Sequence, residues 1–182
     1  MPRIMKRACA VLFVFCAMSL NAKVVESSAS SLAIQHSFTV AATPEKVWQS
    51  LISVGQWWGS DHTYSGNAAN LHLDARPGGC WCETLANGGG VQHMAVVFAS
   101  PKERLTLTGA LGPLQTTGSS GAMNFAIAKK GDATEVTFTY NVGGYFPGGF
   151  TNAAAAVDGV LVAQLNRLQR LIETGSAEAK KP

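Results

Sequence analysis

The feature that most limits what this chain can fold into is its last long apolar stripe. From a start near Thr151, Val157, Val160, Leu161, Gln164, Leu165, Leu168, Leu171 and Ile172 recur at spacings of three and four. Asn166, Arg167, Gln169 and Arg170 fall on the opposite side. That spacing marks one face of an α-helix, and Gly175 supplies its stop. Most of the chain before it alternates with a period of two instead. Ile34 to Val40, Leu71 to Leu73, Cys80 to Leu85, Gln92 to Phe98, Arg104 to Gly109, Gly121 to Ala128 and Glu135 to Val142 read as strands. Turn formers such as Arg76-Pro77-Gly78-Gly79, Asn87-Gly88-Gly89-Gly90 and Lys129-Lys130-Gly131-Asp132 separate them. No connection in that run has room for a crossover helix, so the strands form an antiparallel meander. A strongly amphipathic helix after such a meander can bury its stripe only against the sheet.

Two short helices interrupt the strands. Thr43-Pro44-Glu45 places an N-cap, a proline at the first helical position and an acid near the positive helix end. Val47, Trp48, Leu51 and Ile52 then share one stripe, and Gln56-Trp57-Trp58 reads as a further helical turn bracketed by Gly55 and Gly59. The order β, α, α, a run of β and a long α is an α+β helix-grip arrangement, a curved antiparallel sheet wrapped around the C-terminal helix. It occupies residues 33–174 as one domain.

The two ends read differently. Residues 1–22 combine a basic start (Arg3, Lys6, Arg7), an apolar stretch from Ala8 to Leu20 and a small residue at Ala22, the three parts of a secretory signal peptide. The apolar stretch is shorter than the roughly 20 residues a bilayer span needs, so no integral span is expected once it is cleaved. Export to a periplasm or to the outside follows. Residues 23–32 read as a flexible lead-in with a run of serines, and 175–182 as a polar tail. Of the 14 basic residues three fall in the leader, leaving 11 against 11 acidic ones. A body without net charge has no footprint for phosphate backbones, which excludes nucleic acid as a natural partner. The sequence leaves the oligomeric state open.

Only Cys80 and Cys82 remain after the leader. Two positions apart on a regular strand lie roughly 6.5 Å apart, whereas bridged β-carbons sit about 3.8 Å apart. Two reduced thiols are therefore expected unless the strand is broken. A metal site is not expected, because one residue separates the cysteines, no second pair exists, and His72 or His93 would complete at most three ligands. No cofactor motif is present.

Thr43-Pro44-Glu45-Lys46-Val47-Trp48, Trp57-Trp58, Pro77-Gly78-Gly79, Ser100-Pro101-Lys102-Glu103-Arg104-Leu105 and the terminal helix resemble the SRPBCC, or START-like, superfamily. Within it the chain is similar to the branch named after the activator of the heat-shock-protein-90 ATPase and to polyketide-cyclase-like proteins. The resemblance implies a hydrophobic cavity between sheet and last helix, used across the superfamily for lipids, polyketides, hormones or client proteins. It carries over no catalytic residue. An exported chain without a phosphate-binding loop does not activate a cytosolic chaperone or hydrolyse ATP.

Within that frame the side chains expected around the ligand are Trp57, Trp58, Trp81, Glu83, Met94, Phe98, Leu107, Met123, Phe125, Tyr140, Tyr145, Phe146, Val157, Val160 and Leu161. Asp61, His62 and Tyr64 can supply polar contacts at the mouth. Glu83 shares a strand face with Trp81 and pairs with His93 if the hairpin loop has five residues, or with Met94 if it has four. Beside His93, Glu83 becomes a candidate general base with a pKa raised by burial. The expectation is a non-enzymatic carrier of a small lipophilic molecule. The alternatives are a cyclase or hydrolase using Glu83 and a histidine, or a protein-interaction module.

Overall fold

In the computed structural model, which describes residues 21–179, eight antiparallel strands form a single sheet. They are β1 (Asn21–Ser27), β2 (Ser31–Val40), β3 (Leu71–Leu73), β4 (Cys80–Thr84), β5 (Gly90–Ser100), β6 (Arg104–Gly109), β7 (Ser119–Lys130) and β8 (Ala133–Gly144). The helices are α1 (Pro44–Ile52), α2 (Val54–Trp57) and α3 (Phe150–Thr174). Strand order is β1-β2-β8-β7-β6-β5-β4-β3, so β3 to β8 run as a meander and β2 joins its far end.

Local chemistry sets the helix ends. Thr43 Oγ1 accepts the Lys46 amide at 3.3 Å ahead of Pro44. Gly175 takes the left-handed conformation (φ 79°) and donates to Leu171 O at 2.9 Å, closing α3. The core lies between the concave sheet face and the helices. It is built from the alternating inward residues of β2, β6, β7 and β8 and from Leu161, Gln164, Leu165, Leu168, Leu171 and Ile172 of α3.

The lead-in, expected to be flexible, is ordered, and so are residues 175–179 of the polar tail. Residues 23–27 of the lead-in belong to β1, which pairs with the otherwise open edge of β2. The serines form the turn between them: the Ser28 hydroxyl accepts the Ser31 amide at 3.0 Å and the Ser30 amide at 3.2 Å. Carbonyls of that turn then take the first amides of α3, Phe150 to Ala29 O and Thr151 to Ser28 O. At the other end, Ala177 is buried and Glu178 Oε1 accepts Arg167 Nη2 at 2.7 Å, so residues 175–179 fold back on α3. The expected leader overlaps β1 at Asn21 and Ala22, and residues 1–20 lie outside the described residues.

The cysteines also differ from expectation. Cys80 and Cys82 form a disulfide, with their Cα atoms 5.4 Å apart. β4 is contracted there from the roughly 6.5 Å of a regular strand, and its ladder to β5 shifts register: Trp81 pairs with Met94 but Cys82 with Gln92, leaving His93 of β5 as the extra residue of a bulge.

Candidate functional site

Above the packed core, one face of the first three turns of α3 looks onto open space. Ala153, Ala156, Val157, Val160 and Leu161, at i, i+3, i+4, i+7 and i+8, roof a cavity of about 710 Å³. Tyr140 of β8 and the 111–116 turn after β6 form the opposite wall, Trp58 to Tyr64 one end, and Phe146 the start of the helix. Two alanines and two valines are too small to reach across, and the lining is mostly apolar.

Hydrogen bonds hold the walls in place. Gln164, buried on the apolar stripe, accepts the Gly59 amide at 2.7 Å and ties the 58–64 loop to α3. Trp58 Nε1 donates to His62 O at 2.9 Å. The Tyr64 hydroxyl lies 3.2 Å from Gly112 O and 3.1 Å from Gln115 Oε1, linking that loop to the 111–116 turn. Asp61 and His62 sit at the rim, with Asp61 Oδ2 3.6 Å from His62 Nε2.

One polar atom within this apolar frame has no protein partner. The Tyr140 hydroxyl is buried and unpaired among the described residues, with the Leu111 backbone close but outside hydrogen-bond geometry. Burial pushes its pKa up to about 12, so it remains a neutral donor.

Beside the cavity lies a buried acid–histidine pair. His93 Nε2 donates to Glu83 Oε2 at 2.9 Å, although neither expected register holds: Glu83 faces Val91 across the ladder. The bulge makes the contact by turning His93 to the same inner face as Met94. Burial pushes the Glu83 carboxyl up, but donors from Ser65, the Tyr64 amide and His93 outweigh it and hold the group below its ordinary value. The raised pKa expected of a general base is therefore not found. Glu83 is a saturated acceptor that anchors the 64–65 backbone and His93.

Of the expected ligand contacts, Trp58, Tyr140, Phe146, Val157, Val160 and Leu161 line the cavity, together with His93. Trp57 and Trp81 pack against Trp58 in an aromatic cluster, with Trp81 edge-on at 4.7 Å. Met94, Leu107, Met123 and Phe125 belong to the closed core, and Glu83 sits behind His93. Phe98 points outward, 45% exposed beneath Arg104, because a second bulge between Val96 and Phe98 reverses its face. Tyr145 is 71% exposed. Sequence reasoning missed the Leu111-Gly112-Pro113-Leu114 turn, Thr116, and the alanines 153 and 156. The alanines continue the α3 stripe toward its N-terminus, and that continuation was the available signal. A second missed feature is His36, fully buried, whose Nε2 donates to Asp158 Oδ1 of α3 at 2.7 Å.

On the sheet's outer face, a ring nitrogen of His72 lies within 4.8 Å of both disulfide sulfurs. In the bridged form the cysteines offer no thiolate to a metal.

Residues 31–173 match the model of a family described as polyketide cyclase / dehydrase and lipid transport. The chain belongs to this family. No curated protein matches it significantly. Solved structures share the fold at low identity. A conserved protein of unknown function from Enterococcus faecalis is 15% identical, with a TM-score of 0.61 over 89% of this chain and 82% of that one. The Aha1 dimer from Colwellia psychrerythraea is 20% identical, with a TM-score of 0.55 over 79% and 97%. CalU16 from Micromonospora echinospora is 14% identical, with a TM-score of 0.54 over 87% and 86%. The polyketide cyclase / dehydrase and lipid transport fold thus extends to both walls of the cavity, since the matched residues include Tyr140 and the lining half of α3.

Proposed function

We propose that this protein is an exported carrier that holds one small lipophilic molecule in the α3 cavity. The observation that carries this reading is an apolar space of about 710 Å³ with Tyr140 in its wall, whose buried hydroxyl has no protein partner among the described residues. The volume suits a small organic ligand. An apolar cavity of that size destabilises the empty protein, so binding recovers stability by mass action. The hydroxyl selects a ligand bearing one acceptor, such as a carbonyl, on an otherwise hydrocarbon body. Family membership supports the ligand class, because the family description includes lipid transport. The basic-then-apolar leader supports export, as does a disulfide, which persists in oxidising compartments.

A second reading rests on His93, which lines the cavity while Glu83 fixes its ring. In a cyclase of the family type His93, not Glu83, would move the proton, with Glu83 orienting it. A turnover that disappears in His93→Gln but retains ligand binding would favour this enzyme.

Native mass spectrometry after gentle purification from the natural host tests the carrier reading. One apolar molecule per chain, released by organic solvent, is expected. Protein that emerges at its bare mass and fails to take up any lipophile would overturn it.

A further inference from the structure

We propose that Cys80–Cys82 is a redox-active disulfide that exchanges with a dithiol partner, with His72 handling the proton. This stands apart from the cavity reading, since the sulfurs lie on the opposite face of the sheet from the ligand site. The bridge joins no two elements: it spans a single residue within β4, where ladders to β3 and β5 already hold the backbone. A staple gains most by closing long loops, so this bridge contributes little as one. It is also reachable. Both cysteines are only partly buried, and β3, the strand beside them, is a three-residue edge. His72 of β3 stands directly opposite Cys82 in the ladder, exposed, with a ring nitrogen within 4.8 Å of both sulfurs.

The remaining groups on that face do not compete for the imidazole. Gln92 and Ala95 face the cysteines from β5, and Asp74 and Arg76 in the adjoining turn pair with each other at 2.8 Å. In the exchange, a thiolate of the incoming dithiol attacks one sulfur and the S–S bond breaks. The other sulfur leaves as a thiolate and takes a proton from the His72 imidazolium. The dithiol's second thiol, giving its proton to the imidazole, then attacks the mixed disulfide. The second cysteine sulfur leaves as a thiolate and takes that proton back from the imidazolium, so the partner departs oxidised to its own disulfide and Cys80 and Cys82 are left as two thiols.

The test uses the native full chain in buffers of reduced and oxidised dithiothreitol, quenched with acid and alkylated. The peptide carrying Cys80 and Cys82 is then read by mass. Both thiols should appear together without denaturant, at a fixed ratio of the two dithiothreitol forms. His72→Ala should slow reduction about tenfold at neutral pH and change the shape of the rate–pH curve. His72→Gln, which keeps bulk and polarity but cannot shuttle a proton, should behave like the alanine variant. A bridge that opens only in denaturant would overturn the proposal. So would a wild-type rate–pH curve in either variant.

Discussion

The two halves of α3 carry the same helical period and do opposite things. In the C-terminal half, Leu165, Leu168, Leu171 and Ile172 are buried, and α1 and α2 pack against the helix. In the N-terminal half Phe150 and Ala154 are buried as well, but beside them the inward flank presents Ala153, Ala156, Val157 and Val160, and the space they leave is the cavity. Polar contacts hold that half in place: the β1–β2 turn caps it and His36 pairs with Asp158. Periodicity therefore decides which face turns inward, and side-chain volume decides whether the inside is filled.

The sharpest way to break this contrast is Leu168→Ala, which opens a void in the packed half. It should cost about 2–5 kcal/mol in denaturant unfolding, while the folded variant binds lipophilic dye within about twofold of wild type. A loss below about 1 kcal/mol would mean the two halves are packed alike.

Glu83→Gln comes next, because it replaces a buried acceptor that the amides of Tyr64 and Ser65 both use. A loss of about 1–3 kcal/mol at pH 7 is expected. The sign of its pH dependence follows from a folded-state pKa held below the ordinary 4.5. The wild-type contribution is complete above pH 4.5 and is lost as pH falls through the lower folded value, so the gap between the two proteins should close in acid. A gap that widens below pH 4.5 would contradict the assignment.

Tyr140→Phe should have the smallest effect on folding, within about 1 kcal/mol, since the hydroxyl it removes has no partner. Affinity for a carbonyl-bearing lipophile should drop about threefold to tenfold, the value of one neutral hydrogen bond, with hydrocarbon probes unaffected. Equal losses for both probes would show that the ring, not the hydroxyl, makes the contact.

The helix-grip plan was legible because the stripe from Val157 to Ile172 and the alternation of β2, β6, β7 and β8 run unbroken. The site was less legible because β5 breaks its alternation twice. His93 and Met94 both turn inward at one bulge, and Phe98 turns outward at the next. A period of two read along β5 alone cannot show an extra residue, since register is a property of two strands. The same bulge sits beside the Cys80–Cys82 bridge that strand spacing argued against. The lining alanines were passed over for the opposite reason: a search for large apolar side chains finds the walls that fill space, not those that leave it.

The most direct test is a titration of wild type and Val160→Trp with an environment-sensitive lipophilic dye. One site of roughly micromolar affinity is expected, with little salt dependence because residues 23–182 carry no net charge. The indole, placed in the roof of the cavity, should weaken binding at least tenfold while leaving the melting temperature near or above that of wild type. Wild-type affinity in Val160→Trp, or no saturable binding in either protein, would contradict a ligand site under the N-terminal half of α3.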